Sequence, residues 1–189
     1  MEAGRLRRLG FRVSLDEPYQ HYQFAGRADV LAWSADGRAL LHLENRTAFP
    51  NIQAALGSFN AKRAYLGRAL ASRLGLTTWR TETHVLVVAW TDEALHAIRI
   101  HEETFRSTGP DGAAGFAGWW SGTPPRTGSR SEIVVIDPAP ATNRRARWID
   151  LDGAMRARPR HRDYRAVVDA LRAAGPPGRS GQSGIGACR

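Results

Sequence analysis

The chain has 189 residues, enough for one domain with a hydrophobic core and an added tail. It carries 27 Lys plus Arg against 18 Asp plus Glu, a formal net charge of +9. This charge favours an anionic partner such as nucleic acid. An Arg-rich chain is also typical of a GC-rich coding background. The single cysteine, Cys188, excludes a disulfide framework within the chain, and no run of apolar residues is long enough to cross a membrane. We therefore expect a soluble, cytoplasmic protein.

The N-terminal part predicts a short helix, a strand and a loop. Residues 2–9 have an amphipathic spacing, and residues 11–15 alternate apolar and polar side chains, as a half-buried strand does. Asp16, Glu17 and Pro18 predict the end of that strand. The aromatic and polar residues 19–24 predict a loop whose rings either pack on the sheet or stack on bases.

Residues 26–47 predict a β-hairpin with acidic side chains. Two short apolar runs flank the turn at residues 34–37. Asp29 lies at the start of the first strand, and Glu44 and Arg46 in the second strand are two residues apart, so their side chains share a face. Buried carboxylates need a partner or a metal ion, because an unpaired buried charge is costly.

A long helix follows the hairpin. Asn51 is a suitable N-cap, and apolar residues recur at spacings of three and four up to Leu74, before Gly75. The opposite face carries Lys62 and Arg63, which either hold phosphates or are simply solvated.

The later elements predict a layered α/β fold. Residues 82–90 predict a buried strand, residues 92–106 a helix, residues 107–130 loops, and residues 131–137 a last strand. We expect one domain over residues 1–140. Residues 141–189 then form an Arg-rich and Gly/Pro-rich tail, with a short helix at 163–174 and disorder from 176 onward.

The order of these elements, with Asp29 followed by Glu44-Asn45-Arg46, resembles the PD-(D/E)xK nuclease superfamily. The stretch from His21-Tyr22 through Asp29 to Thr47 is similar to nuclease-like domains of actinobacterial helix-turn-helix regulator proteins. The resemblance implies a restriction-endonuclease-like core, a mixed sheet of about four to five strands flanked by helices. It covers residues 2–137, and because a short helix stands where those proteins have a DNA-binding domain, we expect a truncated or stand-alone member.

The same resemblance implies a Mg²⁺-dependent endonuclease that cleaves DNA, with Mn²⁺ as a substitute. Asp29 and Glu44 would bind the metal, and Glu17 is a further carboxylate that could join them. Arg46 takes the catalytic position where the superfamily has Lys, and Arg27, Lys62 and Arg63 would contact nucleic acid.

The departure at position 46 leaves two hypotheses open. Arg46 keeps a positive charge and stabilises a transition state, but it cannot give up a proton. Alternatively, Arg46 forms an ion pair with Glu44 or Asp29 in the metal position, which leaves a catalytically silent domain that binds nucleic acid or has a regulatory role.

Overall fold

The computed structural model describes residues 2–139 and 147–173, and these form a six-stranded mixed sheet flanked by helices. The strands are β1 (Arg12–His21), β2 (Phe24–Trp33), β3 (Ala39–Arg46), β4 (Thr81–Ala89), β5 (Gly128–Ile136) and β6 (Trp148–Asp150). The helices are α1 (Glu2–Arg8), α2 (Ile52–Arg73), α3 (Asp92–Ile100), α4 (Glu102–Thr108), α5 (Ala114–Ser121), α6 (Leu151–Arg156) and α7 (Tyr164–Ala173). The predicted α/β class and mixed sheet are confirmed, with more strands than the four to five expected.

The strands lie in the sheet in their order along the chain. β1, β2 and β3 form an antiparallel meander, β3, β4 and β5 are parallel, and β6 returns antiparallel to β5. Parallel neighbours need a crossover, which α2 provides between β3 and β4, and α3 to α5 provide between β4 and β5.

Alternating side chains of the central strands divide the core into two layers. On β4, Val85 and Val87 pack with residues of α1 and α5, whereas Leu86 and Val88 pack with residues of α2 and α3. Because successive side chains of a strand point to opposite faces, the continuous apolar run of β4 is covered on both sides, as the sequence predicts.

The predicted loop at residues 19–24 is wrong. β1 continues to His21, and a tight turn at Tyr22 and Gln23 leads directly into β2. Asp16 has a positive φ of 50°, and Pro18 lies on an edge strand, where a missing N–H is tolerated. Residues typical of a strand end are therefore accommodated inside this strand.

Two further predictions are corrected between β4 and β5. The helix expected over residues 92–106 is divided at His101 into α3 and α4. The loop expected over residues 107–130 contains α5, and in its first turn the N–H groups of Gly115 and Phe116 donate to the buried carboxylate of Glu132 at 2.7 Å each. A Cβ on Gly115 would lie 2.6 Å from Glu132 Oε1, so this glycine permits a close approach to the sheet and does not mark a loop.

The segment expected to begin a basic tail contributes to the sheet and its core. β6 extends the sheet, and Leu151, Ala154 and Val167 are buried. The helix predicted at 163–174 is observed as α7, and the disorder predicted from residue 176 lies outside the described residues. No helix among the described residues has the length and apolar character that a membrane span requires.

This packing predicts that Leu151 stabilises the whole fold. Leu151 is 5% exposed and lies in the cluster with Leu86 and Val135. We expect Leu151→Ala to lower the free energy of unfolding by about 2 to 4 kcal/mol, measured by urea denaturation. The exposed Arg172→Ala in α7 is the control and should change it by less than about 0.5 kcal/mol. Equal values for the two variants would contradict this packing.

Candidate active site on the second and third strands

The two predicted carboxylates lie on neighbouring strands. Val30 of β2 is paired with Leu43 of β3, which places Asp29 beside Glu44 and Asn45. The backbone N–H of Asn45 donates to Asp29 Oδ2 at 2.7 Å. Asp29 is half-buried, whereas Glu44 is 1% exposed.

Lys62 of α2 is the nearest cation to Glu44. Its Nζ lies 2.6 Å from both carboxylate oxygens of Glu44 and donates to each. Phe59, Lys62 and Leu66 follow one another at spacings of three and four, so Lys62 belongs to the stripe of α2 that faces the sheet. Lys62 is 7% exposed and therefore does not lie on the face opposite the apolar stripe, where the sequence analysis places it.

Arg46 also reaches Glu44. Its Nη2 lies 2.8 Å from Glu44 Oε1, and its Nη1 donates to the backbone oxygen of Asn45 at 3.0 Å. The Arg46 side chain is 25% exposed and thus remains partly accessible to solvent. This contact is the Arg46–Glu44 ion pair that the hypothesis of a catalytically silent domain predicts. Lys62, which that hypothesis does not include, contacts the same carboxylate.

A chain of polar side chains continues from Glu44 under α2, through the buried His42 and His84 to the partly exposed Glu82. His42 Nε2 lies 3.5 Å from Glu44 Oε2, His84 Nδ1 lies 3.4 Å from His42 Nδ1, and His84 Nε2 lies 3.2 Å from Glu82 Oε2. Two facing Nδ1 atoms need one proton between them. If His84 supplies it, the proton of neutral His42 is on Nε2 and faces Glu44.

These contacts shift the pKa values of the site in opposite directions. Burial alone would raise the pKa of Glu44, but His42, Lys62 and Arg46 stabilise its charged form and lower the pKa to about 2. Burial raises the pKa of Asp29, and the negative charge of Glu44 adds to this, against the effects of Asn45 N–H, Lys62 and Arg46. Burial lowers the pKa of His42 to about 4, although Glu44 favours its charged form.

The other predicted residues make separate contacts. Arg27 Nε pairs with Asp16 Oδ1 at 2.5 Å on the surface, and Arg63 Nη1 donates to the backbone oxygen of Thr108 at 3.2 Å. Glu17 accepts hydrogen bonds from Ser14 and Arg73. Glu17 thus has its own partners, and the site consists of Asp29, Glu44, Arg46 and Lys62.

Sequence reasoning missed the place of Lys62 and the two histidines. The spacing of Lys62 from Phe59 and Leu66 is a signal that could have found the first. His42 and His84 each interrupt a strongly apolar strand, and their pairing across β3 and β4 depends on a register that the sequence does not state.

The donor set for a metal ion consists of two carboxylates. Within residues 2–139 and 147–173, no group of three or more His, Cys, Asp or Glu side chains could hold a metal ion. Mg²⁺ commonly binds one or two carboxylates and completes its shell with water and phosphate oxygens, so the chemistry of Asp29 and Glu44 fits Mg²⁺, although Lys62 contacts both oxygens of Glu44. Comparison of the chain with models of protein families and with curated proteins finds no match.

The site predicts a pH-dependent stability that originates in His42. Its pKa of 6.5 in the unfolded chain and about 4 in the folded protein mean that the unfolded state binds more protons between these values. The contribution of His42 to the free energy of unfolding is present at a pH above 6.5. It falls by about 3 kcal/mol as the pH decreases to 4. Glu44 contributes in the lower window, from its usual pKa of 4.5 down to about 2.

Urea denaturation across this pH range measures the effect. His42→Gln should remove most of the decrease between pH 6.5 and 4, since glutamine does not titrate. His96→Gln is the matched control, because His96 is exposed on α3 and should leave the decrease unchanged. A parent protein equally stable at both ends of this window would contradict the assignment.

Proposed function

We propose that the chain is a metal-dependent nuclease that hydrolyses phosphodiester bonds of DNA. The observation that carries this proposal is the lysine of α2 against Glu44, with Asp29 beside it. The PD-(D/E)xK pattern requires two carboxylates and a lysine at one site. Position 46 lacks the lysine, and Lys62 supplies an ammonium group from the following helix.

Each residue has a role that its chemistry supports. Asp29 and Glu44 would hold Mg²⁺, which polarises the phosphoryl group and lowers the pKa of a bound water molecule. Lys62 offers three donors on a flexible stem, and a lysine, unlike an arginine, can give up a proton. Arg46 is partly exposed and can clamp a phosphate oxygen while it neutralises Glu44.

Nicking of supercoiled plasmid in the presence of Mg²⁺ or Mn²⁺ tests the proposal. We expect Asp29→Asn and Lys62→Met each to lower the nicking rate by roughly a hundredfold or more, since each removes a charge needed at the reacting phosphate. Asp36→Asn is the matched control, because Asp36 is an exposed carboxylate in the turn between β2 and β3. Circular dichroism checks that each variant remains folded, above all Lys62→Met, which breaks a buried ion pair.

Two results would contradict the proposal that the chain is a nuclease. The first is nicking that is unchanged in Asp29→Asn. The second is a purified protein that binds DNA but does not nick it with either metal ion.

A second candidate is a catalytically silent domain that binds nucleic acid. It is favoured by the burial of Glu44, whose carboxylate is 1% exposed and is contacted by both Lys62 and Arg46. Two cations already neutralise the carboxylate, and breaking such a buried pair is costly.

Arg46→Lys separates the two candidates. The lysine side chain is shorter than the arginine side chain and leaves more room for a metal ion at Glu44. If the domain is silent, we therefore expect metal-dependent nicking to appear in this variant. In the active nuclease the same change should alter an existing rate by less than about tenfold, since the positive charge is retained. DNA binding that weakens steeply with salt is expected in either case.

A further inference from the structure

A cavity lies at the edge of the sheet where β3 and β4 begin. Its volume is about 340 Å³, at the lower end of the range that is typical of small-ligand sites. Its lining includes Arg38, Arg80 and Arg126, and we call it the arginine pocket. Ala39, the first residue of β3, precedes Glu44 by five residues, a distance of about 17 Å along a strand. The arginine pocket is therefore separate from the candidate active site.

The arginine pocket has a net positive charge. Among the described residues that line it, Asp36 is the only acidic one, so three arginines against one aspartate leave a net charge of +2. Asp36 Oδ2 lies 3.8 Å from Arg38 Nε, and both side chains are more than half exposed, which makes this ion pair weak. Within residues 2–139 and 147–173, the side chains of Arg80 and Arg126 make no ion pair or hydrogen bond. The pocket thus has positive charge available for a ligand.

Backbone hydrogen bonds hold two of the arginines side by side. The backbone oxygen of Arg38 accepts from the N–H of Arg80 at 2.8 Å and from the N–H of Thr81 at 3.1 Å. The N–H of Ala39 donates to Ser34 Oγ at 3.0 Å, which closes the turn before β3. The backbone of the pocket is therefore fixed before a ligand binds, and this lowers the entropy lost on binding.

Thr81 adds a buried hydroxyl to the same pocket. Thr81 is 2% exposed and belongs to the lining, and its Oγ1 has no hydrogen-bond partner among the described residues. A buried polar atom without a partner is unfavourable, and water or a ligand commonly supplies the missing partner. A hydroxyl can donate one hydrogen bond to an anionic oxygen. The unpaired hydroxyl and the unpaired arginines therefore point to the same kind of ligand.

We propose that the arginine pocket binds a phosphate monoester, carried either by a small phosphorylated molecule or by the end of a nucleic acid strand. The planar fork of donors on a guanidinium matches the oxygens of a phosphate group. A phosphate monoester has a charge of about −1.5 to −2 at pH 7, which the net charge of +2 compensates, whereas a phosphodiester has a single negative charge. This inference is independent of the proposed function, because it uses none of the residues of the candidate active site.

Isothermal titration calorimetry in metal-free buffer tests the pocket, with inorganic phosphate and a nucleoside 5′-monophosphate as probes. We expect Arg80→Gln and Arg126→Gln each to weaken the binding of both probes by about tenfold or more, since each removes charge-assisted hydrogen bonds. Arg165→Gln is the matched control, because Arg165 is an exposed arginine of α7. Arg46→Gln is a second control, at the candidate active site. Both controls should bind the probes as the parent does.

Thr81→Val separates a ligand contact from a structural role of the hydroxyl. Valine has a similar shape but no hydroxyl, and Thr81 Oγ1 has no partner to lose within the described part of the chain. We therefore expect an unchanged or higher melting temperature without ligand, together with phosphate binding that is weaker by about threefold or more. Unchanged phosphate binding in this variant would overturn the place of Thr81 in the site.

A trinucleotide with and without a 5′ phosphate distinguishes the two carriers. Tighter binding of the phosphorylated trinucleotide than of the nucleoside monophosphate would identify the end of a strand, and equal binding would identify a small molecule. Three results would overturn the proposal: a parent that binds neither inorganic phosphate nor the nucleoside monophosphate, binding that is unchanged in both Arg80→Gln and Arg126→Gln, and equal affinity for the trinucleotide without its 5′ phosphate.

Discussion

The burial of the Glu44 carboxylate constrains the structure around it. A carboxylate that is 1% exposed loses its hydration, so its charge has to be compensated by neighbouring groups. Two cationic side chains meet this requirement: Lys62 from α2 and Arg46 from the same strand. The position of α2 over the sheet is thus determined by an ion pair as well as by apolar contacts.

This constraint also explains why the polar chain under α2 extends so far. His42 is held between Glu44 and His84, and His84 in turn meets Glu82, which lies against Gly67 of α2. A Cβ on Gly67 would lie 2.2 Å from Glu82 Oε2, so the helix can approach this carboxylate only because residue 67 has no side chain. Buried polar networks are costly when one member lacks its partner, and this one joins two strands and a helix.

Much of the fold and part of the candidate site could be predicted from the sequence. The hairpin of β2 and β3, the N-cap of α2 at Asn51 and the doubly covered β4 all follow from local patterns. The sequence also placed Asp29, Glu44 and Arg46 together. It could not place Lys62 against Glu44, because a charged residue in an amphipathic helix normally indicates the solvated face. Nor could it find α5 or the length of β1, since the glycines of α5 and Pro18 of β1 are tolerated through tertiary contacts and an edge position that no local pattern states.

The shape of the two sheet edges bears on how the protein behaves at high concentration. β1 and β6 are the outer strands of the described sheet, and an exposed strand edge can pair with another molecule. β1 interrupts its edge with the positive φ of Asp16 and with Pro18, which has no N–H to donate, while β6 has three residues. Neither edge offers a long and regular ladder, so the features that obscure β1 in the sequence also protect the sheet against aggregation through its edges.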